Sequence, residues 1–177
     1  MERISRLIDK WQSHGIDCSA AATVASISEF ESHYGVVLPS EFRSYFLAVN
    51  GMGPRFDVCD ADVFAFWRIQ DVVSLADEYP DRCDRTMPAS RYFMFADHSV
   101  GLPSFAIRLS HEPDSPTPVA GIYSDFGALE VEDFFDSFGA FLDCYLDDPD
   151  TARAAIPRNA RPPAMRVWWR RWLPRGW

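Results

Sequence analysis

Lysine is almost missing from this sequence of 177 residues: Lys10 stands alone beside 16 arginines. A bias that broad belongs to the whole composition, so no arginine cluster can be read as a site on frequency alone. Cysteine is scarce too. Cys18, Cys59, Cys83 and Cys144 lie far apart with no C-x-x-C pair, which excludes the zinc and thioredoxin spacings and leaves four reduced thiols as the expectation. No apolar run approaches the roughly 20 residues that cross a bilayer. The opening MERISRLIDKW interrupts its apolar positions with charge and does not form the apolar core of a signal peptide. A cytoplasmic location is expected.

The usual marks of chemistry are also absent. His14, His33, His98 and His111 show no H-x-x-x-H or H-E-x-x-H spacing, and there is no Walker or dinucleotide-type glycine loop. The histidines read as solvated or hydrogen-bonded side chains. No cysteine has a legible His or Asn partner that would make it a nucleophile. Asp97-His98 resembles a polarised imidazole, but neighbours on an extended strand point to opposite faces. No catalytic residue, metal site or cofactor is expected, and the chain reads as a binding protein, not an enzyme.

What is present is a core and a segregated charge. Hydrophobic residues make up 47% and aromatic residues 15% of the chain, enough for one self-sufficient globular domain with a short appendage. All 26 acidic residues fall within residues 1–150, where ten basic side chains leave a net −16; residues 151–177 carry seven arginines and no acid. The expected organisation is therefore a domain over 1–150 and an Arg/Trp/Pro-rich basic tail over 151–177. An acidic body repels nucleic acid and anionic lipid and attracts basic partners.

Helical spacing opens the chain at Ile4, Leu7, Ile8 and Trp11, with Gly15 as the cap. Ser26 and Glu29 read as a capping box for a second helix ending at Gly35. Pro39 starts a third through Phe42, Tyr45, Phe46 and Val49, which Asn50-Gly51 stops. Two short strands are expected within 55–69, a helix over 70–79, and a loop over 81–90. Strands follow at Tyr92–Phe95, Ser104–Leu109 and Val119–Tyr123, then a helix over Asp133–Leu146; the prolines from Pro149 onward break regular structure. Helices first, strands next and a closing helix predict an α+β domain. Its antiparallel or mixed sheet should have about five or six strands, packed by the N-terminal helices and the closing helix. Leu7, Phe30, Phe42, Phe46, Trp67, Phe95, Ile107, Ile122, Phe138 and Phe141 should form the core.

The string Ile27–Gly51, ISEFESHYGVVLPSEFRSYFLAVNG, resembles the signature of the SUKH superfamily, the group of immunity proteins and cell-wall regulators: a short helix ending in Gly, a Leu-Pro, an aromatic helix, and Asn-Gly. Phe64–Leu75, Tyr92–Leu109 with its Ala96-Asp97, and the helix with Ser137-Phe138-Gly139-Ala140-Phe141-Leu142 resemble it as well, so the likeness covers about residues 2–148. One departure is the connection LSHEPDSPTP, Leu109–Pro118, where the family usually has a Gly-rich turn. The resemblance implies an immunity protein that occludes a cognate toxin without a cofactor. Its alternative is an intracellular regulatory scaffold of the fungal cell-wall type. The acidic body makes a basic, nuclease-type toxin the expected partner.

Two acidic clusters stand out, Asp57, Asp60 and Asp62, and Asp143, Asp147, Asp148 and Asp150. Either can be solvated surface. In the sharper reading Asp57, Asp60 and Asp62, with Trp67 as an aromatic anchor and Asp97 and Asp125 alongside, dock a basic protein by steering and anchoring. In the tail, Arg166, Trp168, Trp169, Arg170, Arg171 and Trp172 mix cation and indole in a way suited to phosphate, lipid headgroups or bases. The tail could equally contact its own acidic body or a second subunit, or be a compositionally biased extension.

Overall fold

The computed structural model describes residues 2–18, 20–55, 57–99, 103–125 and 128–155. Three helices come first: α1 (Glu2–Ser13), α2 (Val24–Tyr34) and α3 (Ser40–Ala48). Thr23, three residues earlier than expected, caps α2. Its hydroxyl accepts from the Ser26 amide and the Ser26 hydroxyl accepts from the Thr23 amide, so Ser26 closes the box and does not open it. Gly35 ends α2 at φ 63°.

The Asn-Gly after α3 does more than stop it. Asn50 Oδ1 accepts from the Ile69 amide, and its Nδ2 donates to Gln70. Gly51 sits at φ +69°, where an added Cβ would lie 2.6 Å from the Trp67 carbonyl carbon. Only glycine lets this backbone approach the next strand so closely.

The strands are β1 (Phe64–Phe66), β2 (Val73–Ser74), β3 (Tyr92–His98), β4 (Ser104–Arg108), β5 (Val119–Asp125) and β6 (Ala128–Phe135). They form one antiparallel sheet ordered β1-β3-β4-β5-β6, with β2 beside β1 along the outer edge of β3. The expected α+β architecture with six strands is therefore observed. Among the described residues of 55–69 only one strand forms, because residues 57–63 turn instead. The helix expected over 70–79 is divided into a 3-10 turn (Ile69–Asp71), β2 and the short helix α4 (Leu75–Glu78), as the outer edge of β3 captures Val73 and Ser74.

The strand β6 was not legible as such, and the closing helix α5 (Phe138–Asp147) starts five residues later than expected. Ser137 sets that start by accepting the Ala140 amide. A further short helix, α6 (Pro149–Arg153), uses Pro149 as its first residue, a position where the missing N–H costs nothing. Ala152 and Ala155 are buried in the main core. Packing thus continues beyond residue 150 as far as Ala155, the last of the described residues.

The two faces of the sheet differ. On the broad face Phe64, Phe66, Phe93, Phe95, Phe105 and Ile107 meet the four longer helices, and Phe95 makes ring contacts with Phe42, Phe138 and Phe141 at 5.4–5.5 Å. On the narrow face Met94, Ala106, Ala120 and Ile122 lie under Trp67, Leu75 and Cys83. All ten expected core residues are buried.

Two bulges arrange this division. Met94 pairs with Ala106 while Ala96 pairs with Phe105, so Phe95 is an extra residue. Phe95 and Ala96 then both serve the broad face, and Asp97 turns to the narrow one. In β6 a similar slip, opposite Val119 and Ala120, puts Phe134 and Phe135 together against the broad-face core.

Candidate functional site

The first acidic cluster lies on the connection 54–63, which leads from the third helix into β1. Its chemistry starts with two pins. At one end the Arg55 guanidinium lies 3.9 Å from the centre of the Trp67 ring and grips Glu78 of α4 through two contacts of 2.9 and 2.5 Å. Such a two-point pair holds direction as well as charge. Trp67 is itself fixed, its indole N–H donating to Asp97 Oδ2 at 2.7 Å. Arg55 is thereby held to the narrow face.

The second pin is Asp60. Its Oδ1 accepts from the Phe64 amide at 2.9 Å, and its Oδ2 accepts from the Tyr145 hydroxyl. That hydroxyl accepts in turn from the Trp11 indole N–H at 3.0 Å. One carboxylate therefore joins the loop to α1 and α5 across the broad-face core. Burial and the Asp60 charge push the Tyr145 hydroxyl far above its ordinary range, so it stays a donor. Lys10 closes the arrangement from α1, 2.8 Å from Asp62 and 4.3 Å from the centre of the Tyr145 ring. The Ala61 amide donates to His14 Nδ1 at 3.3 Å.

The pins hold the loop in a costly shape. Val63 adopts φ 64°, a conformation that costs a β-branched residue roughly 1–3 kcal/mol. It is held by its amide bond to the Asp60 carbonyl and by its own carbonyl, which accepts from Ser99. The loop offers Asp57, Cys59 and Ala61 to solvent, with Asp62 half-exposed and Val63 43% exposed. Short acidic side chains and one apolar residue are presented on a backbone that the interior fixes. Such a surface can meet a basic partner without ordering itself first.

The expected docking residues are thus divided between surface and interior. Asp57 and Asp62 lie on the surface. Asp60, Trp67 and Asp97 are 5%, 1% and 1% exposed, so the anchor envisaged at Trp67 is an internal support fastened by Asp97, while Asp60 serves Phe64 and Tyr145. Asp125 ends β5, opposite Ala128, and its side chain lies outside what is described. Arg166, Trp168, Trp169, Arg170, Arg171 and Trp172 fall outside the described residues. In the second acidic cluster, Asp143 and Asp147 pair with Arg3 and Arg6 of α1, and Asp148 caps α6.

The sequence reading missed Arg55 and Tyr145 as partners of acids, and Trp11 as the donor to Tyr145. A signal was available for two of them: Trp11 and Tyr145 stand on the apolar faces of their helices, and buried indole and phenol groups need a hydrogen-bond partner. Asp97 and His98 do point to opposite faces, His98 packing on Phe64. All four cysteines are free thiols, with Cys83 buried and Cys59 exposed. Among the described residues no group of three His, Cys, Asp or Glu side chains is placed to share a metal ion, and no helix is long and apolar enough to cross a membrane.

The fold is that of a single α+β domain with an antiparallel sheet, and it carries a pinned acidic loop. The particular family follows from comparison: residues 21–144 match the SMI1 / KNR4 family (SUKH-1), and the chain belongs to it. That family is consistent with an immunity-protein role and also includes KNR4 regulators; its members are generally not enzymes. None of the curated proteins compared with the chain matches it.

Proposed function

We propose that this protein is an immunity factor: it binds a cognate secreted bacterial toxin and neutralises it by occlusion, with no turnover. The observation that carries this reading is the loop 57–63, whose exposed Asp57 and half-exposed Asp62, the latter paired with Lys10, are presented on a backbone fixed by Asp60 and Arg55. The partner is a basic protein of the nuclease-toxin kind, because the net −16 of residues 1–150 draws cations and slows approach of an acidic surface. Binding takes place in the cytoplasm. The tail beyond Ala155 is dispensable for folding and contributes to association through its arginines and tryptophans.

The test is co-expression with the product of the neighbouring toxin gene, scored as growth. Rescue by the intact protein, and its weakening by D57K/D62K, supports the reading. Absence of a toxin gene beside it, with no rescue by any neighbour, favours the second reading. In that reading, which the breadth of the family supports, the same loop recruits signalling enzymes as an intracellular regulatory scaffold.

A further inference from the structure

Arginine is placed unevenly in the acidic domain. Most of its arginines are paired: Arg3, Arg6, Arg43, Arg55, Arg68 and Arg85 each meet a carboxylate. Arg82, Arg91 and Arg108 meet none within 4 Å among the described residues, Arg82 donating to the Ser124 hydroxyl instead. Arg91 and Arg108 line one cavity of about 540 Å³, together with Arg85. A second cavity of about 270 Å³ continues it past Arg85, Arg91 and Ser110 to His111. Neither cavity has an aspartate or glutamate in its lining. In a region with 26 acids and ten bases, a groove lined by three arginines, of which Arg85 is paired with Asp77, and by no acid inverts the local composition; Arg108 also borders a neighbouring cavity lined by Asp133 and Asp136.

The walls say what the groove takes. One wall is the 3-10 turn Pro88–Arg91 with Met87, which is 42% exposed. The other is Leu109, Ser110, Ser115 and Pro116, from the connection between β4 and β5. That connection is fixed, the Val37 amide donating to the Ser110 carbonyl at 2.8 Å and the Ser110 hydroxyl accepting from Glu112. Apolar side chains between guanidinium groups suit an extended peptide with alternating acidic and apolar residues. A nucleic acid fits less well: the ring in the larger cavity is Tyr92, which is buried and whose hydroxyl donates to Asp133, so no base has a free face to stack on.

We infer that this groove, lined by Arg85, Arg91 and Arg108, is a binding site for an acidic peptide segment of a protein partner, separate from the acidic loop and independent of the immunity reading. The partner then has a basic surface for the loop or an acidic segment for the groove, or both.

The test uses the full chain and a fluorescein-labelled peptide of alternating Asp and Leu, with a Lys/Leu peptide and oligo-dT as comparators. Fluorescence anisotropy should show binding of the Asp/Leu peptide in preference to oligo-dT, while any binding of the Lys/Leu peptide, drawn by the net −16 of residues 1–150, should not be weakened by R91E/R108E. R91E/R108E should weaken it about tenfold or more, the effect of losing charge-assisted hydrogen bonds. The charge-matched R82E/R153E should leave it within about twofold, since exposed charges away from a site act mainly through screened fields. Circular dichroism melting checks that both double variants fold; should R91E/R108E fail to, R91Q/R108Q replaces it with the same expectation. Equal binding by the two charge-matched variants overturns the site, and tighter binding of oligo-dT overturns its assignment to peptide.

Discussion

The two faces of the sheet are built to different depths, and the acidic loop is fastened to both. The broad face carries a continuous layer of phenyl rings under four helices. The narrow face carries Met94, Ala106, Ala120 and Ile122 under one turn of helix and irregular chain. The broad face supplies most of the apolar burial, and so most of the stability. The narrow face supplies direction, through Arg55, Glu78, Trp67 and Asp97. A loop held by one pin could swing; held at Arg55 from one side and Asp60 from the other, it keeps its shape.

This contrast can be broken from the broad face first. Phe141 touches Phe66, Phe95, Phe105 and Phe135, so Phe141→Ala should cost about 3–5 kcal/mol in urea unfolding. Asp60→Ala leaves the Phe64 amide and the Tyr145 hydroxyl without their buried acceptor and should cost roughly 3 kcal/mol. A loss well under 1 kcal/mol would mean that Asp60 is no pin.

Truncation sharpens the boundary. A chain ending at Ala155 should keep its cooperative transition. A chain ending at Asp150 loses the buried Ala152 and Ala155 and should be weaker by about 2 kcal/mol. Gly121 shows why these residues matter: a Cβ there would sit 2.0 Å from the Ala155 carbonyl oxygen, so the chain lies directly on β5.

The narrow face should respond more gently. Arg55→Ala removes the ring contact and the Glu78 pair and should cost about 1 kcal/mol, while hydrogen exchange in residues 57–63 quickens. The smallest effect concerns pH. Burial, with Asp133 beside it, pushes Tyr92 from 10.0 up to about 12. A raised pKa in the folded state means that its neutral form is favoured there, so this stability is whole below pH 10 and is lost as pH rises towards 12. Tyr92→Phe should flatten the fall in melting temperature over that window.

How much of this could be read in advance depended on whether a signal was local. The helix spacings, the ring-rich strands and the Asn50-Gly51 stop are local, and they led to the correct fold class and core. The β6 strand was lost because Asp133 to Phe135 continues into the apolar spacing of α5, and the bulge and the Ser137 cap that separate them are set by pairing with β5. Trp67 was read as an anchor because an aromatic beside acids suits an interface. Its burial follows from β3, where the bulge at Phe95 turns Asp97 towards it, and no local pattern announces that. Asp60 was taken for surface for the same reason, its hydroxyl partner Tyr145 lying on a helix 85 residues away.

The central claim, that the pinned loop docks a basic partner, is tested most directly by stopped-flow association of the intact protein and D57K/D62K with the cognate toxin from 0.1 to 1 M salt. Over that range the screening length falls from about 10 Å to about 3 Å. The account predicts association that slows steeply with salt, and a variant that associates several-fold more slowly at 0.1 M while dissociating at nearly the original rate. An association rate flat across the salt series, or unchanged in D57K/D62K, would contradict it.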